Sequence, residues 1–120
     1  MKVIKKTLKL QRKEYFEKHL LLINHVLPIQ MTPKEAEVLA AFMSLQGDIA
    51  KDPFGTSGRK LVREQVGISQ GGLGNYLEQL KSKGFIYMNN TNILQILPIL
   101  IPDQKEQGYQ FKIERNGEEE

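Results

Sequence analysis

The segment from Ser57 to Ile86 constrains the fold of this 120-residue chain more than any other segment. It contains two short helical patterns that meet at the break Val66-Gly67-Ile68-Ser69. Gly67 can adopt the left-handed backbone that a tight turn requires, and Ser69 is placed to cap the second helix. That helix ends at Lys83-Gly84, after which strand-like apolar residues begin. The segment therefore predicts two helices joined by a tight turn and followed by a β-hairpin.

Three further elements are predicted on the N-terminal side. Lys2 to Leu10 partly alternates apolar with basic residues, which predicts a half-buried edge strand. Residues 11–24 repeat apolar side chains at three- and four-residue steps and predict a helix, which Pro28 closes. Thr32-Pro33-Lys34-Glu35 has the form of a capping box, so a second helix should begin at Pro33 and end at Gly47.

The remaining elements follow from the same patterns. Two helices are expected at about residues 57–65 and 69–83, after a loop at residues 48–55 in which Phe54 is buried. Strands are expected at residues 85–88 and 93–97, with one more short strand at 109–113. Inward-facing positions of the two helices are expected at Leu61, Val62, Val66, Leu73, Tyr76, Leu77 and Leu80.

These elements fit one domain of the α+β class that is mainly α. Its length supports a single core rather than two. We expect a strand and helix extension at residues 1–27 and a central unit with three core helices and the hairpin at 28–102. A short strand and an acidic tail should occupy residues 103–120, with the disordered part at Gly117 to Glu120.

Charge is unevenly placed along the chain. The formal net charge is +3, but residues 1–25 carry +5 and residues 51–84 carry +3, whereas residues 26–50 and 85–120 are acidic. A basic helical region suits a polyanionic partner. Cysteine is absent, which excludes disulfides and thiolate metal sites and favours a cytoplasmic location. The longest apolar run, Leu20 to Ile23, is too short to span a bilayer, so no membrane partner is expected.

The helical pair carries a resemblance to a known family. The residues Val62-Arg63-Glu64-Gln65-Val66-Gly67-Ile68-Ser69-Gln70, with Leu73, Leu77 and the exit Leu80-Lys81-Ser82-Lys83-Gly84-Phe85-Ile86, resemble winged helix-turn-helix transcription regulators. The similarity is greatest to MarR-like bacterial proteins, and the whole chain resembles small regulators carried by tailed phages. It implies a winged helix-turn-helix fold in which helix 69–83 enters the DNA major groove and the hairpin forms the wing.

The resemblance also implies which residues touch DNA. The helix before the turn would cross the backbone, so Arg59, Lys60 and Arg63 would contact phosphates. Leu73 and Leu77 anchor the second helix and leave polar positions outward, and Gln and Asn amides can pair with adenine. The candidate DNA-binding residues are Ser57, Arg59, Lys60, Arg63, Ser69, Gln70, Gly71, Gly72, Asn75, Tyr76 and Lys81.

Two features leave alternatives open. The turn Asn89-Asn90-Thr91-Asn92 carries no cation, so the wing is not expected to read DNA electrostatically, and a protein-interaction adaptor for a polymerase or replication protein is the competing function. The apolar run from Ile93 to Ile101 is either a buried strand or a homodimer seam. The proposed partners are therefore double-stranded DNA, a second copy of the chain and the transcription machinery.

Catalysis has little support in the sequence. The glycines of Gly67 to Gly74 follow a helix and not a strand, which is the wrong context for a dinucleotide-binding loop. No nucleophile stands near a suitable histidine and acid. His19 and His25 lack cysteine or clustered acidic neighbours, so His19 is expected to pack in the core. We expect no enzyme activity, no catalytic residue, no metal and no cofactor.

Overall fold

A computed structural model of the protein describes residues 1–103 and 105–117. The described residues form an α+β fold that is mainly helical, with one two-stranded antiparallel sheet. Its α-helices and strands are, in chain order, α1 (Arg12–Ile23), α2 (Pro33–Met43), α3 (Thr56–Val66), α4 (Gln70–Ser82), β1 (Ile86–Met88) and β2 (Leu94–Ile96). Short 3₁₀ turns lie at Asn24–Val26, Gly47–Lys51 and Pro98–Leu100.

Helix α2 forms the centre of the core, and its start is the one predicted. The Thr32 hydroxyl accepts the Glu35 amide at 3.2 Å, while the Glu35 carboxylate accepts the Thr32 amide at 2.8 Å. This reciprocal pair satisfies two of the amides that a helix start leaves without partners. Most of the helix is buried, including Ala36, Leu39 and Phe42.

The predicted end of α2 at Gly47 is wrong by four residues. The helix stops at Met43, where the Ser44 hydroxyl turns back and donates to the Ala41 carbonyl at 2.8 Å. Gly47 instead begins the following 3₁₀ turn with a left-handed φ of 72°. After that turn Phe54 is buried as predicted, with its ring centroid 4.5 Å from that of Phe42.

The pair α3 and α4 lies within one residue of both predicted helices. Gly67 caps α3 in the left-handed conformation with φ 77°, and the Ser69 hydroxyl accepts the Gly72 amide at 3.0 Å to cap α4. Gly84, with φ 80°, follows the end of α4. Both helices and the turn between them are therefore produced by signals that are local in the sequence.

The core-facing sides of these helices are mostly those predicted. The buried members of the predicted set are Val62, Leu73, Leu77 and Leu80. Val66 and Tyr76 are partly buried against the core. Leu61 is a wrong prediction, because its side chain is 42% exposed. Gly58 and Val62, four residues apart, form the buried stripe of α3, and Leu61 lies about 100° away from Val62 around the helix.

The hairpin is confirmed, and its turn is held by one side chain. Ile86 pairs with Ile96 and Met88 pairs with Leu94 across the two strands. The side-chain oxygen of Asn89 accepts hydrogen bonds from the backbone amides of Thr91 and Ile93 at 2.8 and 3.0 Å. The Asn92 amide also donates to the Asn89 backbone carbonyl at 3.1 Å, so the turn is closed by local bonds. Beyond β2 the apolar run does not continue as a strand, since a 3₁₀ turn follows in which Leu100 is buried.

Both predicted terminal strands are wrong. Residues 2–10 form no strand and are exposed along their whole length. Residues 109–113 also form no strand, because side chains and not backbone pairs hold this segment. Tyr109 contacts His19, and the Phe111 ring lies edge-on to His25 at 6.3 Å between centroids. Strands β1 and β2 pair only with each other among the described residues, so neither terminal segment gains a backbone partner. Of the predicted acidic tail, Glu118 to Glu120 lie outside the described residues.

His19 connects α1 to the C-terminal segment of the chain. It is buried as predicted, and its Nε2 lies 2.9 Å from the Leu100 carbonyl oxygen while its Nδ1 contacts the Tyr109 hydroxyl. Because a carbonyl can only accept, Nε2 carries the proton and Nδ1 accepts from Tyr109. Burial lowers the pKa of His19 from its ordinary value of 6.5, although the Leu100 carbonyl acts in the opposite direction.

None of the helices in residues 1–103 and 105–117 is long and apolar enough to cross a membrane.

Candidate nucleic-acid interface

The first half of α3 exposes two cations beside each other. Arg59 and Lys60 are both exposed, and Ser57 is exposed two residues before Arg59. The Arg59 Nε donates to the Phe54 carbonyl at 2.6 Å. This bond fixes the base of the guanidinium against the loop before α3, so the charge is held at a defined place and loses less side-chain entropy when it meets an anion.

Arg63 is less exposed than Arg59 and Lys60. Its side chain is half-buried in a groove between α3 and α4, and its Nε is buried without a hydrogen-bond partner among the described residues. A buried donor without a partner costs about 1–3 kcal/mol, so such a group calls for an acceptor.

The groove has a volume of about 360 Å³ and is open on one side. Its lining includes Thr56, Arg59, Arg63, Gln70, Leu73 and Gly74. Arg59 and Arg63 are four residues apart on α3, as Gln70 and Gly74 are on α4, so each pair shares one helix face. A Cβ at Gly74 would meet no described atom within 4 Å, so the glycine leaves this wall of the groove open.

The exposed side of α4 carries polar side chains and glycines. Gln70, Gly71 and Asn75 are exposed, together with the acidic Glu78. Gly72 is half-buried, and its amide donates to the Ser69 hydroxyl, so this amide is already used within the protein. The exposed amides of Gln70 and Asn75 are the groups on this face that can pair with base edges.

Chain comparisons give no further constraint on this surface. No family model, curated protein or solved structure matches the chain. The likeness to winged helix-turn-helix regulators thus remains one of sequence motif.

The structure brings only part of the predicted set together. Arg59, Arg63 and Gln70 share the groove, whereas Lys60 lies on the other side of Arg63, near Glu64. Lys81 is exposed but lies eleven residues beyond Gln70 on the same helix, which corresponds to roughly 16 Å. It therefore belongs to the far end of the surface.

Two predicted residues are mainly structural in this fold. Tyr76 is partly buried and packs against the core, and Ser69 is the cap of α4. The predicted set omitted Thr56 and Gly74, which line the groove. The signal available for Gly74 was its spacing of four residues from Gln70, since that spacing puts both on one face. Nothing local marked Thr56.

The hairpin contributes no cation at its tip. Residues 89–92 are Asn, Asn, Thr and Asn, and Tyr87, Met88 and Ile93 are exposed beside them. Among the described residues no group of three His, Cys, Asp or Glu side chains is arranged to hold a metal ion.

Proposed function

We propose that the protein is a winged helix-turn-helix regulator of transcription that binds double-stranded DNA sequence-specifically, with residues 69–83 in the major groove. The observation that carries the proposal is the groove in which Arg59, Arg63 and Gln70 converge, where Arg63 Nε has no hydrogen-bond partner among the described residues. A DNA phosphate in this groove has the right charge for the guanidinium groups of Arg59 and Arg63, and charge-assisted bonds to phosphate are among the stronger hydrogen bonds in proteins.

Each part of the surface then has a separate task. Arg59, Lys60 and Arg63 bind phosphates and fix the register of the protein on the duplex. Gln70 and Asn75 read base edges, for which their paired donor and acceptor suit adenine. The amides at the start of α4 and the positive end of its dipole favour a phosphate there as well. Lys81 adds a contact at the far end.

The glycines of α4 support close approach. Gly71 and Gly74 leave the backbone of the first turns uncovered, so a sugar-phosphate chain can lie nearer to the helix than it could beside larger side chains. Each glycine also weakens the helix by about 1 kcal/mol relative to alanine. If the protein is a dimer, its two half-sites should be about one helical turn of DNA apart.

The test is binding to duplex DNA across a salt series. With about 5 phosphate contacts, the logarithm of the affinity should fall against the logarithm of the salt concentration with a slope of roughly −4 to −5. Arg59→Ala with Lys60→Ala should weaken binding to all sequences alike and make that slope less steep by about 2. The matched control is Lys18→Ala, an exposed charge on α1. Absence of binding at low salt would overturn the proposal.

The Asn75→Ala variant tests whether this side chain recognises a DNA base. Loss of its amide should reduce the preference for the best site over a scrambled site by about tenfold, since a good bidentate base contact discriminates by about 1–3 kcal/mol. The salt slope should stay unchanged because no phosphate contact is removed. An unchanged preference would show that Asn75 does not read a base.

The alternative is an adaptor that binds a polymerase or replication protein. Tyr87, Met88 and Ile93 are 37%, 46% and 42% exposed around an uncharged turn, which suits a protein contact better than a phosphate backbone. Under this alternative the Arg59 and Lys60 substitutions would leave partner binding intact, while Met88→Asp would abolish it. Met88→Asp would leave DNA binding nearly unchanged if the first proposal holds.

A further inference from the structure

Residues 1–11, here called the N-terminal arm, project from α1 without secondary structure. Every residue of the arm is exposed. Its large apolar side chains are solvated to a degree that is unusual for one short segment, from 41% for Leu10 to 85% for Ile4. Lysines stand between them, and no acidic residue occurs before Glu14. Among the residues that the structure describes, the lysines of the arm have no ion-pair partner, so the arm combines free positive charge with unburied apolar surface.

The spacing of these residues is that of a helix. The cations of the arm and of the first two residues of α1 are Lys2, Lys5, Lys6, Lys9, Arg12 and Lys13. At 100° per residue they fall within an arc of about 120°. The apolar residues Val3, Ile4, Leu8 and Leu10 fall entirely on the remaining arc. An extended strand would instead place Lys6 on the same side as Ile4 and Leu8. Only a helix separates the two kinds of residue.

The sequence also permits α1 to extend into the arm. Gln11 occupies the N-cap position of α1 but makes no side-chain capping bond. No proline or glycine occurs in residues 1–25. The start of α1 is therefore not fixed by a local stop signal, unlike that of α2 with its capping box. Helix can propagate toward residue 2 when conditions favour it.

Two kinds of obstacle, one electrostatic and one apolar, keep the arm unfolded in the free protein. Lysines three and four residues apart, such as Lys2 with Lys5 and Lys5 with Lys9, would repel one another on a helix. Positive charge at a helix N-terminus also opposes the helix dipole. The apolar side would at the same time have nothing to pack against. A partner that is anionic and also accepts apolar side chains removes both obstacles together.

The orientation of such a helix is set by contacts already present. Arg12 Nε donates to the Ser44 carbonyl at 2.8 Å, and Lys13 Nζ lies 3.4 Å from the Glu37 carboxylate. The basic side of α1 at its start thus faces α2. A continuous helix would direct Val3, Ile4, Leu8 and Leu10 away from the body of the protein, where a flat surface can reach them.

We propose that the N-terminal arm folds as an amphipathic helix, continuous with α1, on an anionic lipid bilayer surface. Such a surface buries the outward apolar side in the acyl boundary, while the long lysine side chains at the border of the two arcs reach back to the headgroup charge. Duplex DNA would neutralise the lysines but leave the apolar residues in water. The sequence predicts no membrane partner because no apolar run is long enough to span a bilayer, but an interfacial helix needs no such run. The inference does not rest on DNA binding by α3 and α4.

The experiment measures the full chain with two kinds of vesicle. Vesicles of phosphatidylcholine alone and vesicles containing about one-third phosphatidylserine are added, with co-sedimentation and far-ultraviolet circular dichroism as readouts. We expect binding to the anionic vesicles together with a gain of about ten helical residues, the length of the arm. Neutral vesicles should bind at least tenfold more weakly, and raised salt should weaken the anionic binding.

A composition-matched variant separates patterned binding from plain charge attraction. Lys5→Leu with Leu8→Lys keeps every residue type and the net charge but puts a leucine on the basic side and a lysine on the apolar side. Burying one leucine-sized side chain shifts a partition equilibrium by roughly tenfold or more, so this exchange should reduce vesicle binding by at least that factor. The thermal midpoint should not change, because neither side chain packs in the folded protein.

Each other outcome overturns the inference. Equal binding by the exchanged variant would mean that charge alone attracts the arm. Binding of the arm to a DNA duplex but not to vesicles would assign its lysines to DNA. A helix gain that follows protein concentration without vesicles would assign the arm to a second copy of the chain. Arg59→Ala with Lys60→Ala should leave vesicle binding intact, which keeps this result distinct from the DNA test.

Discussion

Gly58 shows how strongly one residue of α3 depends on the loop before it. A Cβ built at this position would lie 1.8 Å from the Pro53 carbonyl oxygen, a backbone atom that cannot move aside on its own. The close approach lets α3 begin directly beside the loop that buries Phe54 and bonds Arg59. The groove depends on this approach because it is built against the same loop.

We expect Gly58→Ala to destabilise the protein by about 3 kcal/mol through this clash. Gly71→Ala is the matched control, since a Cβ there meets nothing within 4 Å and the helix should gain up to about 1 kcal/mol. Urea unfolding of both variants measures the difference. Equal effects in the two would contradict the close packing of α3 on Pro53.

Residue identity alone did not distinguish the glycines of α4. Gly71, Gly72 and Gly74 read alike in the sequence, yet Gly72 lies against the Ser69 cap, with a built Cβ 3.2 Å from the hydroxyl, and the other two face open space. Whether a glycine permits a cap or widens a groove depends on which neighbours the helix meets. That information is tertiary.

At the scale of elements, α2 and α4 are tied at their ends by one buried acid. Glu35 is 1% exposed, caps α2, and lies 2.7 Å from Lys83 Nζ just beyond α4. Lys83 also donates to the Gln30 carbonyl at 3.0 Å. The capping box therefore serves as a junction between helices as well as a helix start.

Lys83→Met should lower the free energy of unfolding by about 1–3 kcal/mol. The buried Glu35 carboxylate would lose its cation and keep only its hydrogen bond from the Thr32 amide. The partial exposure of Lys83 lets water screen the ion pair, which keeps the loss below the upper end of this range. Lys81→Met on the exposed side of α4 should be within about 0.5 kcal/mol of the original protein. Thermal or urea unfolding measures both. A neutral Lys83→Met would show that water replaces the ion pair.

Element prediction succeeded where signals are local. The capping box of α2, the glycine between α3 and α4, and the polar turn of the hairpin each specify a boundary within a few residues of chain. It was wrong for residues 2–10 and 109–113, because alternation indicates a strand only when an edge is available to pair with it. It was also wrong for the end of α2, where a serine stops the helix before the glycine.

At the scale of the whole molecule, the C-terminal segment is attached to α1 through polar groups. His19 contacts Leu100 and Tyr109, and the Tyr15 hydroxyl donates to the Asp103 carbonyl at 2.7 Å. Burial raises the pKa of Tyr109 to about 12, with a smaller contribution from Tyr15, so the hydroxyl stays protonated and able to donate to His19. These bonds join residues more than eighty positions apart.

The stability of this attachment should depend on pH. The pKa of His19 is lowered in the folded protein, so the unfolded chain takes up a proton first as the pH falls. The contribution of neutral His19 is thus complete above about pH 6.5 and is lost as the pH drops below that value. The thermal midpoint should fall as the pH is lowered from 8 to 5. The His19→Gln variant should lose the part of this fall that comes from protonation of His19.

The pH window separates His19 from the acids. Burial tends to raise the pKa of Glu37, but Lys34 and Lys13 lower it overall, so its stabilising effect is lost only as the pH falls below its ordinary value of 4.5. An undiminished fall between pH 6.5 and pH 5 in His19→Gln would assign the effect to another group.

The sequence by itself determined the core helices, the turn between α3 and α4, and the hairpin, because caps, glycines and apolar spacing act between neighbouring residues. It also supplied Arg59, Arg63 and Gln70 as separate candidates. Only the tertiary structure decided that these three share one groove, that Arg63 Nε is buried without a partner in the described part of the chain, and that the arm is left exposed. The physical reason is that burial and free edges depend on which distant segments meet, and no local signal encodes that meeting.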